Sequence, residues 1–223
     1  MQLLSPALDA KQGLAEPEHN TRLLEGMAQA VSEKRYADVT IADIVRHARV
    51  SKRTFYEHFP DKEACFLATY TAVSNELLAR IASAAATESV GEEQLHAATR
   101  AYFSALSERP PLVRAFLSEI HAAGPAAVAL RRKIHQRFAD LLQLLVEHAR
   151  KSRPDVRALS REMAIAIVGG INELVLLHIE EERADKLTQL TQTTTDLIGL
   201  VLMGSAAPPK TKTKRSSKRK TKL

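Results

Sequence analysis

The run from Thr40 to Lys62, TIADIVRHARVSKRTFYEHFPDK, constrains this chain more than any other segment, because it packs several helix starts and one tight corner into a short stretch. Thr40 can cap a helix whose Asp43 reaches back to the free amides, and Ile41, Ile44, Val45 and Ala48 then recur at the spacing of one apolar stripe. That stripe must face a core. Upstream, Leu24, Met27, Ala28 and Val31 repeat the spacing and predict a partner helix from about Thr21 to Lys34. Ser51 starts a third helix on which only Phe55 and Phe59 are large and apolar, and Asp61 can cap a fourth. Three short helices around one small core form a helix-turn-helix.

The third helix is left with an open side. Arg53, Thr54, Tyr56 and Glu57 point away from the phenylalanines, with Lys52 and His58 on the flanks, so a helix laid in a major groove offers mixed donors. Lys52 and Arg53 suit guanine edges, Thr54 a base or thymine methyl, and Tyr56 and His58 phosphate oxygens. Lys62 and the first amides of the next helix make a second phosphate-binding end. The residues expected to contact double-stranded DNA are Thr40, Ser51, Lys52, Arg53, Thr54, Tyr56, His58 and Lys62. Singly, each is an ordinary solvated side chain; the capped arrangement as a whole is what points to DNA.

The run VSKRTFYEHFPDKEA resembles the signature of the TetR family of bacterial transcriptional repressors, closely over about Thr21 to Phe66 and elsewhere only in helix pattern and length. The resemblance implies that Thr54, Tyr56, His58 and Phe59 form the recognition-helix run and that Lys62 anchors the backbone. Two positions depart from the pattern. Arg49 stands where the turn often has glycine, so either it sits at positive φ with some strain or the turn differs slightly, and Arg53 stands where a small residue is common, which changes the operator read. The resemblance further implies a dimer formed through the last two helices and a small-molecule effector held inside the helical body.

The remainder reads as helix after helix, giving an all-α chain: an N-terminal three-helix DNA-binding domain followed by a helical ligand-binding and dimerisation domain. The expected organisation is an arm at 1–19, the helix-turn-helix domain at 20–65, the helical domain at 66–205 and a Lys/Arg-rich tail at 206–223. A helix with Leu130, Ile134, Phe138, Leu141 and Leu145 inside puts Arg131, Arg132, Lys133 and Arg137 on its wet side. The stretch from about Asp155 to Glu182 is apolar nearly all round and needs cover from more than one side; a partner subunit supplies it. Asp185 is expected to cap a final helix with Leu190, Leu197 and Val201 along its self-association face. Gly169-Gly170 would permit close helix approach there, or is simply a tolerated weak spot.

For the effector cavity the candidates are Tyr102, Phe103, Phe116, His121, Asn172, Glu173 and His178, aromatic or polar residues in apolar surroundings, although residues of these types are more often ordinary core or surface. No cofactor or metal is expected, since the eight histidines form neither an HExxH run nor a Cys/His cluster, and no nucleophile–base set suggests an enzyme. The single cysteine, Cys65, suits a small core position in a reducing compartment. With no targeting run, and with the greasiest stretch interrupted at Asn172 and Glu173 and judged too short for a bilayer, a cytoplasmic, nucleoid-associated protein without membrane contact is expected. The chain is formally +6, but its last segment from Lys210 holds eight basic residues and no acids, leaving 24 basic against 26 acidic residues in the body. The sequence thus predicts a dimeric repressor released from a palindromic operator by a small molecule. The alternatives are a ligand-independent regulator or a nucleoid-type protein aided by the basic tail.

Overall fold

The computed structural model describes residues 15–203, and among them there is no strand. Nine helices follow one another: α1 (Ala15–Glu33), α2 (Ile41–Ala48), α3 (Lys52–His58), α4 (Lys62–Ala86), α5 (Glu92–Glu108), α6 (Pro110–Leu117), α7 (Pro125–Ser152), α8 (Arg161–Glu180) and α9 (Leu190–Met203). Short 3-10 turns at Tyr36–Asp38, Glu119–Ala123 and Ala184–Gln189 link some of them. Most of the expected arm and all of the basic tail lie outside the described residues. Residues 15–19, expected in the arm, are helical instead, and Glu18 in the first turn favours the positive end of the helix dipole.

The capping signals act as the sequence predicts. Thr40 and Asp43 form a reciprocal capping box on α2, the Ser51 hydroxyl accepts the Thr54 amide at 3.0 Å, and the Asp61 carboxylate accepts the Ala64 amide at 2.7 Å. Arg49 sits in the left-handed region, φ 55° and ψ 44°, where glycine would be free of strain. What holds it there is Arg22, whose guanidinium donates to the Ala48 and Arg49 carbonyls at 2.9 and 2.7 Å and so satisfies the end of α2. The helices also approach closely: a Cβ on Gly26 of α1 would stand 2.6 Å from the Ile44 carbonyl oxygen of α2. Only glycine fits that contact.

The expected boundary at 65/66 falls inside the continuous helix α4. One core passes through it, joining Leu23, Met27, Ile44 and Phe55 to Phe66, Tyr70, Phe116 and Ile134. Cys65 is fully buried in that core, and burial pushes its thiol up to about 12, which makes it inert. At the other end, Asp185 does not cap α9. It lies in a 3-10 turn whose Leu187 is fully buried and pins the chain, so α9 begins only at Leu190, itself core rather than outer face. By length and composition alone α8 could cross a membrane, contrary to the expectation of too short a run. In the bundle its Ala164, Ile167, Val168 and Val175 enter the core. Gly169 and Gly170 meet nothing within 4 Å of a built Cβ, so they serve no close approach inside this chain.

Two substitutions at the α1–α2 contact should move stability in opposite directions. Gly26→Ala forces overpacking against backbone and should cost about 1–3 kcal/mol, whereas Arg49→Gly relieves the left-handed strain and should gain about 1 kcal/mol. Denaturant midpoints compared at constant slope would register both.

Candidate nucleic-acid interface and bundle cavity

Phe55 is fully buried and Phe59 nearly so, and this fixes which side of α3 is open. Ser51, Lys52, Arg53, Tyr56 and Glu57 are exposed; Thr54 and His58 are half-buried. The Arg53 Nε donates to Glu57 Oε1 at 3.0 Å, but its side chain is 90% exposed, so the pair is worth little and can open to a better acceptor. Tyr56 stands edge-on to Phe55 with its hydroxyl end outward, at 58% exposure. Thr40 spends its hydroxyl on Asp43, donating to Oδ2 at 2.7 Å. The Asp43 carboxylate is held well below the usual range by the Lys34 ammonium first and by Thr40 second, so the box stays charged.

Lys62 is placed otherwise than expected. Its ammonium turns inward, donating to the Tyr36 and Val39 carbonyls at 3.0 and 2.9 Å and lying 4.4 Å above the Tyr36 ring. Burial pushes its pKa down. It therefore clamps the turn between α1 and α2 instead of offering donors to phosphate. Glu119, from the turn after α6, completes the joint by accepting the Tyr36 amide at 2.8 Å. Tyr36 also packs on Phe66, Phe66 on Phe116, and Phe116 stacks on Tyr70 at 4.4 Å. A continuous row of rings leads from the helix-turn-helix into the bundle.

Of the seven cavity candidates, Tyr102, Phe116 and Asn172 come together around one cavity between α4, α5, α6, α7 and α8. The Tyr102 hydroxyl donates to Asn172 Oδ1 at 2.7 Å, and Asn172 Nδ2 lies 2.8 Å from His135 Nε2. The other four are elsewhere. Phe103 is fully buried core, His121 is exposed after α6, Glu173 is exposed on α8, and the His178 ring is bonded to the Leu174 carbonyl of its own helix. Sequence reasoning missed Tyr70, Arg131, His135 and Phe138, which line the same cavity. Arg131 belongs to it and not to the wet side of α7: it is half-buried, and its Nε is buried without a hydrogen-bond partner.

Lys62→Met should destabilise the chain by about 1–3 kcal/mol through the carbonyls it leaves unsatisfied, while Lys52→Ala should stay within about 0.5 kcal/mol of the parent. Alkaline pH should act on the same joint. Tyr36 and Tyr70 are pushed up to about 12, mainly by burial. Their contribution is complete below the ordinary tyrosine value of 10 and is lost as pH rises from 10 toward 12. Their tyrosinate absorbance should then rise together with loss of helical circular dichroism, and a rise well before unfolding would show these rings to be accessible.

The family model described as bacterial regulatory proteins, tetR family, matches residues 23–69. No curated protein matches the chain in sequence. Among solved structures, the fatty acid degradation regulator FadR of Bacillus halodurans is similar at a TM-score of 0.73 and 18% identity, over 85% of this chain and 96% of that one. The regulator FadR of Bacillus subtilis, in complex with stearoyl-CoA, is similar at 0.70 and 16%, over 79% and 96%. A TetR-family regulator of Pectobacterium atrosepticum is similar at 0.65 and 20%, over 88% and 100%. These likenesses show a shared fold along the described bundle, and the matched segment is the one that holds both capped helices of the helix-turn-helix. Over residues 23–69 the chain thus carries an N-terminal domain that matches the tetR family of bacterial regulatory proteins.

Proposed function

We propose that this transcriptional regulator works in the cytoplasm as a homodimeric repressor that reads a near-palindromic operator through α3 and leaves it when a small molecule fills the bundle. The observation that carries the reading is the exposed face of α3. Lys52, Arg53 and Tyr56 stand exposed on a helix whose other face is locked by Phe55 and Phe59. Ser51 and Thr54 supply hydroxyls at the helix start, His58 lies at its far flank, and Thr40 supports the neighbouring helix.

Dimerisation is supported by two unpartnered apolar stripes. On α8, Met163, Ala166, Gly170 and Leu177 share the outer face, with Glu173 among them; on α9, Leu197, Leu200 and Met203 do, with Leu200 75% exposed. Effector control is supported by the apolar cavity around Tyr102, Phe116 and Asn172, and by the Bacillus subtilis neighbour having been solved with stearoyl-CoA. The organisation that fits is a DNA-reading domain through Cys65 and a ligand-binding and dimerisation domain beyond it, sharing one core.

Selection of bound genomic fragments with full-length protein should return one near-palindrome with half-sites on one face of the duplex. On it, Lys52→Ala and Arg53→Ala should each cost roughly 1–3 kcal/mol and relax discrimination at particular base pairs, while Tyr56→Phe weakens all sequences alike. Leu200→Glu should give monomers with poor operator binding. Equal losses on operator and random DNA, or a monomer of unchanged affinity, would sink the reading.

A further inference from the structure

Three cavities lie in a row along one face of α7. The first, about 70 Å³, is lined by Arg131, Ile134, His135 and Phe138; the second, about 80 Å³, by Phe138, Leu141, Leu142 and Leu145; the third, about 560 Å³, by Leu142, Leu145, Val146, Ala149 and Arg153. Each shares residues with the next: Tyr102 and Phe138 line the first two, and Leu95, Leu142 and Leu145 the last two. With a helical rise of 1.5 Å per residue, the stripe from Ile134 to Ala149 is roughly 22 Å long. Between the first two cavities stand the Tyr102 and Phe138 rings, edge to face with centroids 6.0 Å apart. The two rings touch, so a slender chain that runs from the first cavity to the second turns them aside, which a bulky ring system does less readily.

The two ends differ in charge. At the third cavity Arg153 is already paired with Asp155 at 2.8 Å, and Glu92 and Asp196 also line the wall. At the first, Arg131 has a buried Nε with no partner, and its positive charge is felt by the Tyr70 hydroxyl and by His135. Burial, then Arg131, pushes the His135 pKa down, which keeps that ring neutral as an acceptor for Asn172. A half-buried guanidinium without a counter-charge is costly, and an anion beside it removes the cost.

We propose that this trough binds a single unbranched acyl chain, its anionic head against Arg131 and its tail running past Tyr102 and Phe138 toward Leu145 and Ala149. The inference rests on the ligand-released reading above and names the ligand's chemistry. The middle cavity offers almost nothing but carbon, so chain length sets affinity, while Arg131 sets the preference for an acid over a neutral head. A free fatty acid and an acyl thioester with phosphates share that chemistry.

Equilibrium binding to the full-length protein, measured below the critical micelle concentrations, would compare saturated fatty acids of increasing length with n-alcohols and acyl-CoA esters of matched length. Affinity should rise about fourfold per methylene until the trough is filled and then level off. The acid should bind at least tenfold tighter than the matched alcohol. Arg131→Met, which keeps the aliphatic stem, should abolish that advantage and leave the alcohol within about twofold. The tighter of the acid and the CoA ester identifies the source. Affinity independent of length, or an acid no better than its alcohol in the unaltered protein, would overturn the inference whether or not the variant folds. So would an Arg131→Met protein that loses both alike. The same preparations titrated on a selected operator separate the two readings. An operator-binding protein indifferent to every chain sinks only the acyl inference, and an acyl-binding protein with no operator sinks only the regulatory one.

Discussion

The Lys62 ammonium ties the start of α4 to the turn after α1, and the fold on both sides of that joint depends on it. It bonds the Tyr36 and Val39 carbonyls and lies over the Tyr36 ring, at the point where the turn after α1, the start of α4 and the turn after α6 meet. Burial strips hydration from this lysine and pushes its pKa down, and the carbonyls and the ring face offset part of that cost. Because Lys62 begins α4, and α4 runs on unbroken to Ala86, the orientation of the turn before α2 is tied to the axis of a helix that also walls the cavity. The row Tyr36, Phe66, Phe116, Tyr70 repeats the connection in apolar contacts. A ligand beside Phe116 and Tyr70 therefore touches the same core that seats the recognition helix.

What could be read from the sequence was whatever local chemistry decides. Thr40 with Asp43, Ser51 and Asp61 each satisfy free amides within three residues, and they start α2, α3 and α4 where their side chains say. Strain at Arg49 was legible as one of two outcomes, since a turn position that often holds glycine carries another residue, and the structure decides for positive φ. Arg22, which makes that strain tolerable, was not, because its acceptors are the carbonyls of residues far along the chain. Gly26 was equally silent: a glycine within a helix shows its purpose only when the Ile44 carbonyl is seen against it.

The cavity was harder to read, for a physical reason. Arg131-Arg132-Lys133 looks like a solvated face, yet one turn of helix carries its three members to different surroundings, and Arg132 and Lys133 are exposed while Arg131 is not. Lys62 misled in the opposite way, as a cation at a helix start that points inward. Tyr102, Phe116 and Asn172 could be picked as polar or aromatic residues in apolar runs, but so could Phe103, His121, Glu173 and His178. Periodicity assigns a side chain to a face of its own helix; which neighbour meets that face is decided by tertiary packing.

Charge adds a final constraint on how such a chain can hold DNA at all. Without the segment from Lys210 onward the body carries slightly more acid than base, so long-range attraction to a polyanion cannot come from its net charge. It has to come from local arrangement. On the α2–α3 side three acids are matched: Asp43 is paired with Lys34 at 2.7 Å, Glu33 lies near Arg46 and His47, and Glu57 is bonded to Arg53. Lys52 enters no such pair, and the amides at the start of α3 add partial positive charge beside it. The face is thus weakly positive and geometrically defined within a body that is otherwise neutral or acidic. In the operator-reading proposed above, that combination would penalise random contact with DNA and leave base-edge geometry at Lys52 and Arg53 to decide where the protein stays.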